Sequence, residues 1–292
     1  MDMPLWAVFG LISATLSAGV MLIQEKIKLD GFTLAFWNKV AAVTLMAPMV
    51  VFMGAPDNPQ FYLLIASQAV IWVISDVIFF DAIPKVGAGL VSRILPASTI
   101  LTFCLWFLID PALWRVYMET PLRSFLVFGV LCASVFFAVR LRHCPISWQA
   151  VRMIWFVIFA AVIGPLMTKL VMNEASFSQG PFAYVFFEAL TMVTLWLAYY
   201  AIRRPIPADV LFSKRAAKGG FMVGSVAALM VATNVAAISI VDNPGLIPAI
   251  KFTDTMIILL FYRAVGRKEK SDVLSGLGIV ACAAALIILK SS

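Results

Sequence analysis

Charge is scarce in this chain. Only 13% of its 292 residues are Asp, Glu, Lys or Arg, about half the share in soluble domains. His143 is the only histidine, and none of the four cysteines falls in a CxxC pair. A structural zinc site and a His-based triad are therefore excluded, and no cofactor is expected. No Walker A loop is present, so ATP is not the direct driver of any work the protein does. Long polar stretches are missing too, and with them any soluble signalling domain.

Apolar residues fill the gap, at 63% of the chain. No water-soluble fold of this size hides so much apolar surface. The residues fall into ten stretches, at 5–24, 34–53, 61–80, 87–109, 122–139, 150–172, 181–201, 218–238, 245–263 and 273–290. Each is near the roughly 20 residues that cross a bilayer as a helix. Backbone amides in lipid must be satisfied within the segment, so the stretches read as helices, too long and uniform for barrel strands. The fold class is thus all-α integral membrane with ten transmembrane helices. The first stretch has only Asp2 before it as a charge and no basic leader, so it reads as a retained helix. Short connectors at Asp81–Val86 and Ser239–Pro244 predict tight helical hairpins.

The net charge of +7 does not point to nucleic acid, because the basic residues sit between apolar spans. Odd-numbered connectors hold Lys26, Lys28 and Lys85, then Arg140, Arg142, Arg203, Arg204, Lys214, Arg215, Lys218, Arg263, Arg267, Lys268 and Lys270. Even-numbered connectors hold only Arg115 and Arg123. The positive-inside rule places the odd connectors in the cytoplasm and both termini outside. Short loops point to a bacterial-type inner (plasma) membrane.

Two stretches repeat. QEKIKLDGFTLAFWNK, ending at Lys39, aligns with NEASFSQGPFAYVFFE, ending at Glu188, at an offset of 149. GLVSRILPASTILTFCLWFL aligns with GLIPAIKFTDTMIILLFYRA at an offset of 156, which sets Leu95 on Lys251, Ser98 on Asp254 and Thr99 on Thr255. Order and spacing are kept, which favours duplication of a five-helix unit, residues 1–145 and 146–292. Five is odd, so the second copy enters the membrane upside down, an arrangement common in alternating-access transporters.

These features resemble the drug/metabolite transporter superfamily, EamA-type. The resemblance covers nearly the whole chain. It rests on ten helices as five plus five, on Arg93-Ile94-Leu95-Pro96-Ala97-Ser98-Thr99 in the fourth helix, and on a basic residue, Lys39, early in the second. The chain departs from the family pattern where Phe252 replaces the proline of the second copy and where Glu188 takes the place equivalent to Lys39. The acidic residue that often closes the fourth helix is missing. The resemblance implies transport of amino acids, drugs, sugar phosphates or nucleotide sugars, and is specific for architecture rather than substrate.

Ionisable residues inside the spans mark the candidate site, because each costs about 2.5–3.5 kcal/mol to insert. Lys39 and Arg93 offer anion contacts, although a long basic side chain near a span end also snorkels. Asp76 does not snorkel far; it pairs with Arg93 or Lys39, or carries a proton. Lys251 and Asp254 lie three apart, on one face of a continuous helix. They form either an intrahelical ion pair or a ligand and its gate. Glu188 is a partner for Lys39, as a switch or as a static pair. Lys169, in the sixth span, adds a further cation. Ser98, Asn234 and Thr255 add hydrogen-bonding groups. The expected substrate-binding set is Lys39, Arg93, Ser98, Asn234, Lys251 and Thr255, with Asp76, Glu188 and Asp254 in coupling or gating.

The leading reading is a secondary transporter of amino acids or other zwitterionic or anionic solutes, with protons as a candidate coupling ion. Proton-coupled efflux of cationic drugs is the alternative. A lipid-acting membrane enzyme lacks a metal cluster or an acid–base pair of the right spacing. A scaffold or sensor would not need so many intramembrane charges. Gly220-Phe221-Met222-Val223-Gly224 and the small-residue face of the tenth span read as close internal packing, with a homodimer as the lesser alternative to a monomer.

Overall fold

A computed structural model describes residues 3–27, 29–86, 95–141, 148–266 and 272–291. Among them every regular element is a helix. In chain order these are α1 (Leu5–Ile27), α2 (Gly31–Met53), α3 (Pro59–Val86), α4 (Ala97–Ile109), α5 (Pro111–Glu119), α6 (Pro121–Arg140) and α7 (Trp148–Met153). There follow α8 (Trp155–Asn173), α9 (Gly180–Arg203), α10 (Ala208–Leu211), α11 (Lys214–Ile240), α12 (Leu246–Lys251), α13 (Thr253–Ala264) and α14 (Val273–Ser291).

Eight of these are long and apolar enough to cross a membrane: α1, α2, α3, α6, α8, α9, α11 and α14. A ninth is reached if α4 and α5, bent by 105° at Asp110, count as one broken span. Asp110 causes the break chemically. Its carboxylate accepts a hydrogen bond from the Leu113 amide at 3.1 Å and so caps α5, with Pro111 in the first turn where a missing N–H costs nothing.

Two expected spans therefore change form. Of 87–109, the helix α4 covers 97–109, and 87–94 lies outside the described residues. The stretch 245–263 is two helices, α12 and α13, broken at Phe252. The hydroxyls of Thr253 and Thr255 donate to the Ile250 and Phe252 carbonyls at 2.8 and 2.6 Å, which competes with the regular backbone ladder around the break. The hairpin expected at 81–86 does not fall there, since α3 continues to Val86. The turn at 239–244 falls where expected, between the ends of α11 and α12.

The helices pack in a definite pattern. α1 lies against α11, and α8 against α3. α2 lies against α11 and α9, and α3 against α9. α1 also touches α12 and α13, while α8 touches α4; α6 packs along α14. The α2–α11 crossing is closest at the GxxxG. A Cβ on Gly224 would stand 2.7 Å from both Asn38 O and Ala41 Cβ, so the small-residue face is used within the chain. Likewise Gly278 of the tenth stretch meets the Phe137 ring of α6. At one end of the bundle Trp6, Phe103, Tyr117, Leu131, Leu246 and Ile250 share a buried apolar core.

Asp272 starts α14. Its carboxylate accepts from the Ser275 hydroxyl at 2.8 Å and the Leu274 amide at 3.1 Å, and Arg140 lies 3.4 Å away. The Ser275 hydrogen bond, then the backbone amides and Arg140, hold this carboxyl below its ordinary value. A pKa depressed by folding adds stability above the unfolded value, near about 4, and that stability is lost as pH falls through the folded value. Acidification below about pH 4 should thus loosen the start of α14 in the parent but not in Asp272→Asn. Amide exchange at residues 274–276 tests this; equal acid sensitivity in both proteins would refute it.

Candidate functional site

The most polar part of the helix interior lies between α2, α3, α8 and α9. Lys39 Nζ of α2 donates to Glu188 Oε2 of α9 at 2.8 Å, with side-chain exposures of 14% and 5%. Snorkelling is thereby ruled out for Lys39: its ammonium is turned inward onto a carboxylate. Asp76 of α3 lies within electrostatic reach of both members. Around Lys39 the described cluster thus holds two carboxylates and one ammonium.

A chain of neutral polar groups continues from this pair. The Tyr184 hydroxyl, one turn before Glu188 on α9, lies 3.2 Å from Thr168 Oγ1 of α8, with Trp72 and Glu188 flanking it. Gln68 Nε2 of α3 donates to Thr168 Oγ1 and to the Gly164 carbonyl, each at 3.0 Å. Gln68 Oε1 is buried with no hydrogen-bond partner among the described residues. Each helix supplies its groups four apart: Gln68, Trp72 and Asp76; Gly164 and Thr168; Tyr184 and Glu188. That spacing stacks them on one face. Gly164 is required here, because a Cβ would stand 2.5 Å from the Trp72 ring.

A second polar group lies on α1, α12 and α13. Ser17 Oγ donates to Asp254 Oδ2 at 2.9 Å in a buried contact. One turn earlier, Ser13 Oγ donates to the Met230 carbonyl at 3.0 Å. Lys251 ends α12 and Asp254 sits in the first turn of α13, so the break at Phe252 separates them. The single helix expected there is thus interrupted, while the two side chains stay within electrostatic reach across the break. Lys251 is half-buried.

The other expected residues bond locally, lie apart from both groups, or fall outside the described residues. Ser98 Oγ donates to the Leu95 carbonyl at 2.6 Å, and Thr255 to Phe252, so both hydroxyls serve their own helix starts. Asn234 is half-buried on α11. Lys169 Nζ donates to the Ser239 carbonyl near the end of α11, at 2.8 Å. Arg93 lies outside the described residues, as does Cys144. No group of three or more His, Cys, Asp or Glu side chains gathers among the described residues.

Counting charges alone missed Gln68, Thr168, Tyr184 and Ser17. The available signal was an amide inside an apolar stretch, since a buried polar group needs a partner much as a charge does. Chemically, the assembled set accepts and donates hydrogen bonds, sets one ammonium between two carboxylates, and offers an indole and a phenol as flat surfaces. Compared with known proteins, the chain matches no family model and no curated protein.

Proposed function

We propose that this multi-pass helical protein is a secondary transporter of small zwitterionic metabolites, with amino acids as the type, working by alternating access. The carrying observation is the Lys39–Glu188 ion pair. It joins positions 149 apart, the same offset that aligns the two halves in sequence. Residues on a pseudo-two-fold axis meet their own equivalents, and a pair of opposite charge there is well placed to be exchanged between two states.

The packing pattern supports two inverted five-helix halves, 1–145 and 146–292. Exchanging the halves turns α1–α11 into α8–α3, α2–α11 into α9–α3, and α1 with α12 and α13 into α8–α4; all are contacts of this bundle. The contacts α2–α9 and α6–α14 map onto themselves. On this reading α4, and α12 with α13, belong to the two remaining spans of ten. The architecture is that of the drug/metabolite transporter superfamily, EamA-type, in a bacterial-type inner membrane with both termini outside.

A zwitterion fits the charges. The excess carboxylate beside Lys39 receives the solute's ammonium, while Lys251 and Arg93 receive its carboxylate. The same excess carboxylate favours a second reading, proton-coupled efflux of cationic compounds through Asp76 and Glu188. Counterflow of labelled amino acids into proteoliposomes tests the first. Lys251→Gln should raise KM about tenfold or more, as loss of one charged contact does. Unchanged kinetics in Lys251→Gln and Arg93→Gln would refute the assignment. Quaternary ammonium uptake driven by a proton gradient and lost in Asp76→Asn would install the second reading.

A further inference from the structure

A separate site lies at the bundle end where α5, the start of α6 and the end of α14 meet. The 105° bend at Asp110 turns α5 across the direction of α4. The short helix exposes Trp114, Val116 and Met118 beside the charged Arg115 and Glu119. This is the composition of a helix lying in the membrane interface, with Trp at headgroup depth. Directly after it, Leu122, Phe125 and Leu126 of α6 are exposed and apolar, a surface for acyl chains.

Between these elements runs a small groove lined by Tyr117, Thr120, Arg123, Ser124 and Lys290. Arg123 uses its Nε on the Leu289 carbonyl at 2.6 Å, which fixes the guanidinium over the end of α14. Lys290 Nζ sits 5.1 Å over the Tyr117 ring and 3.0 Å from Asp242, whose side chain is largely exposed. Two cations against one carboxylate leave a single net positive charge. The Tyr117 residue is 7% exposed; its buried hydroxyl has the Lys290 ammonium, itself a donor, as polar neighbour and no hydrogen-bond acceptor among the described residues. A buried donor of that kind points to a ligand acceptor, since leaving it unpaired is costly.

We propose that this groove binds one anionic phospholipid, its phosphate between Arg123 and Lys290 and within reach of the Tyr117 hydroxyl, its chains along Leu122, Phe125 and Leu126. A phosphodiester matches both the net charge and the planar donor fork of arginine. The headgroup-depth position and the adjoining apolar surface commit the site to a lipid rather than a soluble phosphate. The inference does not depend on the transport reading.

Native mass spectrometry of the delipidated full chain, titrated with phosphatidylglycerol or phosphatidylcholine, tests it. One phosphatidylglycerol should bind preferentially, and Arg123→Gln and Lys290→Gln should each weaken it about fivefold, the scale for one basic residue near an anionic surface. Tyr117→Phe keeps the ring in its core and should also lower the preference, which covers the case of a cation variant that does not fold. Equal binding of the two lipids would overturn the proposal, as would an unchanged preference in Tyr117→Phe and in every cation variant that folds. Thermal stabilisation by inorganic phosphate equal to that by phosphatidylglycerol would overturn the lipid assignment.

Discussion

Lys39→Met should destabilise the detergent-purified protein by about 3 kcal/mol and, on the proposed function, abolish transport. The change leaves Glu188, with 5% of its side chain exposed, as a buried carboxylate stripped of its nearest cation. Asp76, also close by, makes the remaining field more negative. Glu188→Met should cost a similar amount for the mirror reason. The double replacement separates stability from function. Two apolar side chains of similar volume fill the space with no buried charge, so most of the stability should return, while transport stays lost because the exchangeable pair is gone. Melting temperature and proteoliposome counterflow read the two arms. A double variant that melts as low as Lys39→Met would mean the residues matter for packing rather than charge. One that transports normally would remove the pair from the mechanism.

Gly224→Leu should cost about 3 kcal/mol or more and leave little folded protein, the largest effect expected from a substitution without charge. Its Cβ would stand 2.7 Å from Asn38 O and 2.8 Å from Asn38 Cα, which are backbone atoms of α2. Backbone inside a packed helix pair has nowhere to go. Gly129 of α6 makes the comparison, since nothing lies within 4 Å of a Cβ built there; Gly129→Leu should change the melting temperature little. Equal yields and melting temperatures for the two variants would show that the α2–α11 crossing is looser than its geometry. Trp37 of α2, which meets Gly220 of α11, donates its indole N–H to the Leu211 carbonyl of α10 at 2.7 Å, so a spread α2–α11 pair should also shift tryptophan fluorescence.

What could be read from the amino-acid order alone was set by solvation. Lipid cannot hydrogen-bond a backbone, so long apolar stretches had to be helices, and α1, α2, α6, α9 and α11 contain stretches foreseen to within a few residues. The interest of Lys39 and Glu188 was also legible, because a charge in an apolar stretch is costly wherever its partner turns out to be. The partner itself was suggested by the repeat, but the 2.8 Å contact needed two helices 149 residues apart to be laid side by side.

The tertiary structure decided the rest. Ser98 and Thr255 looked like ligands by residue type, yet each bonds a carbonyl three residues earlier. A hydroxyl competes for backbone wherever a helix begins, and no pattern of hydropathy places that beginning within a turn. The break at Phe252 put Lys251 and Asp254 on different helices, and Ser17 of α1 became the neighbour of Asp254. Gln68, Thr168 and Tyr184 carry no charge, so the chain order does not distinguish them from ordinary polar residues on a span. Their joining into one buried chain is a product of three helices crossing at a single level, which depends on side-chain shape and on glycines such as Gly164 that let those helices close up.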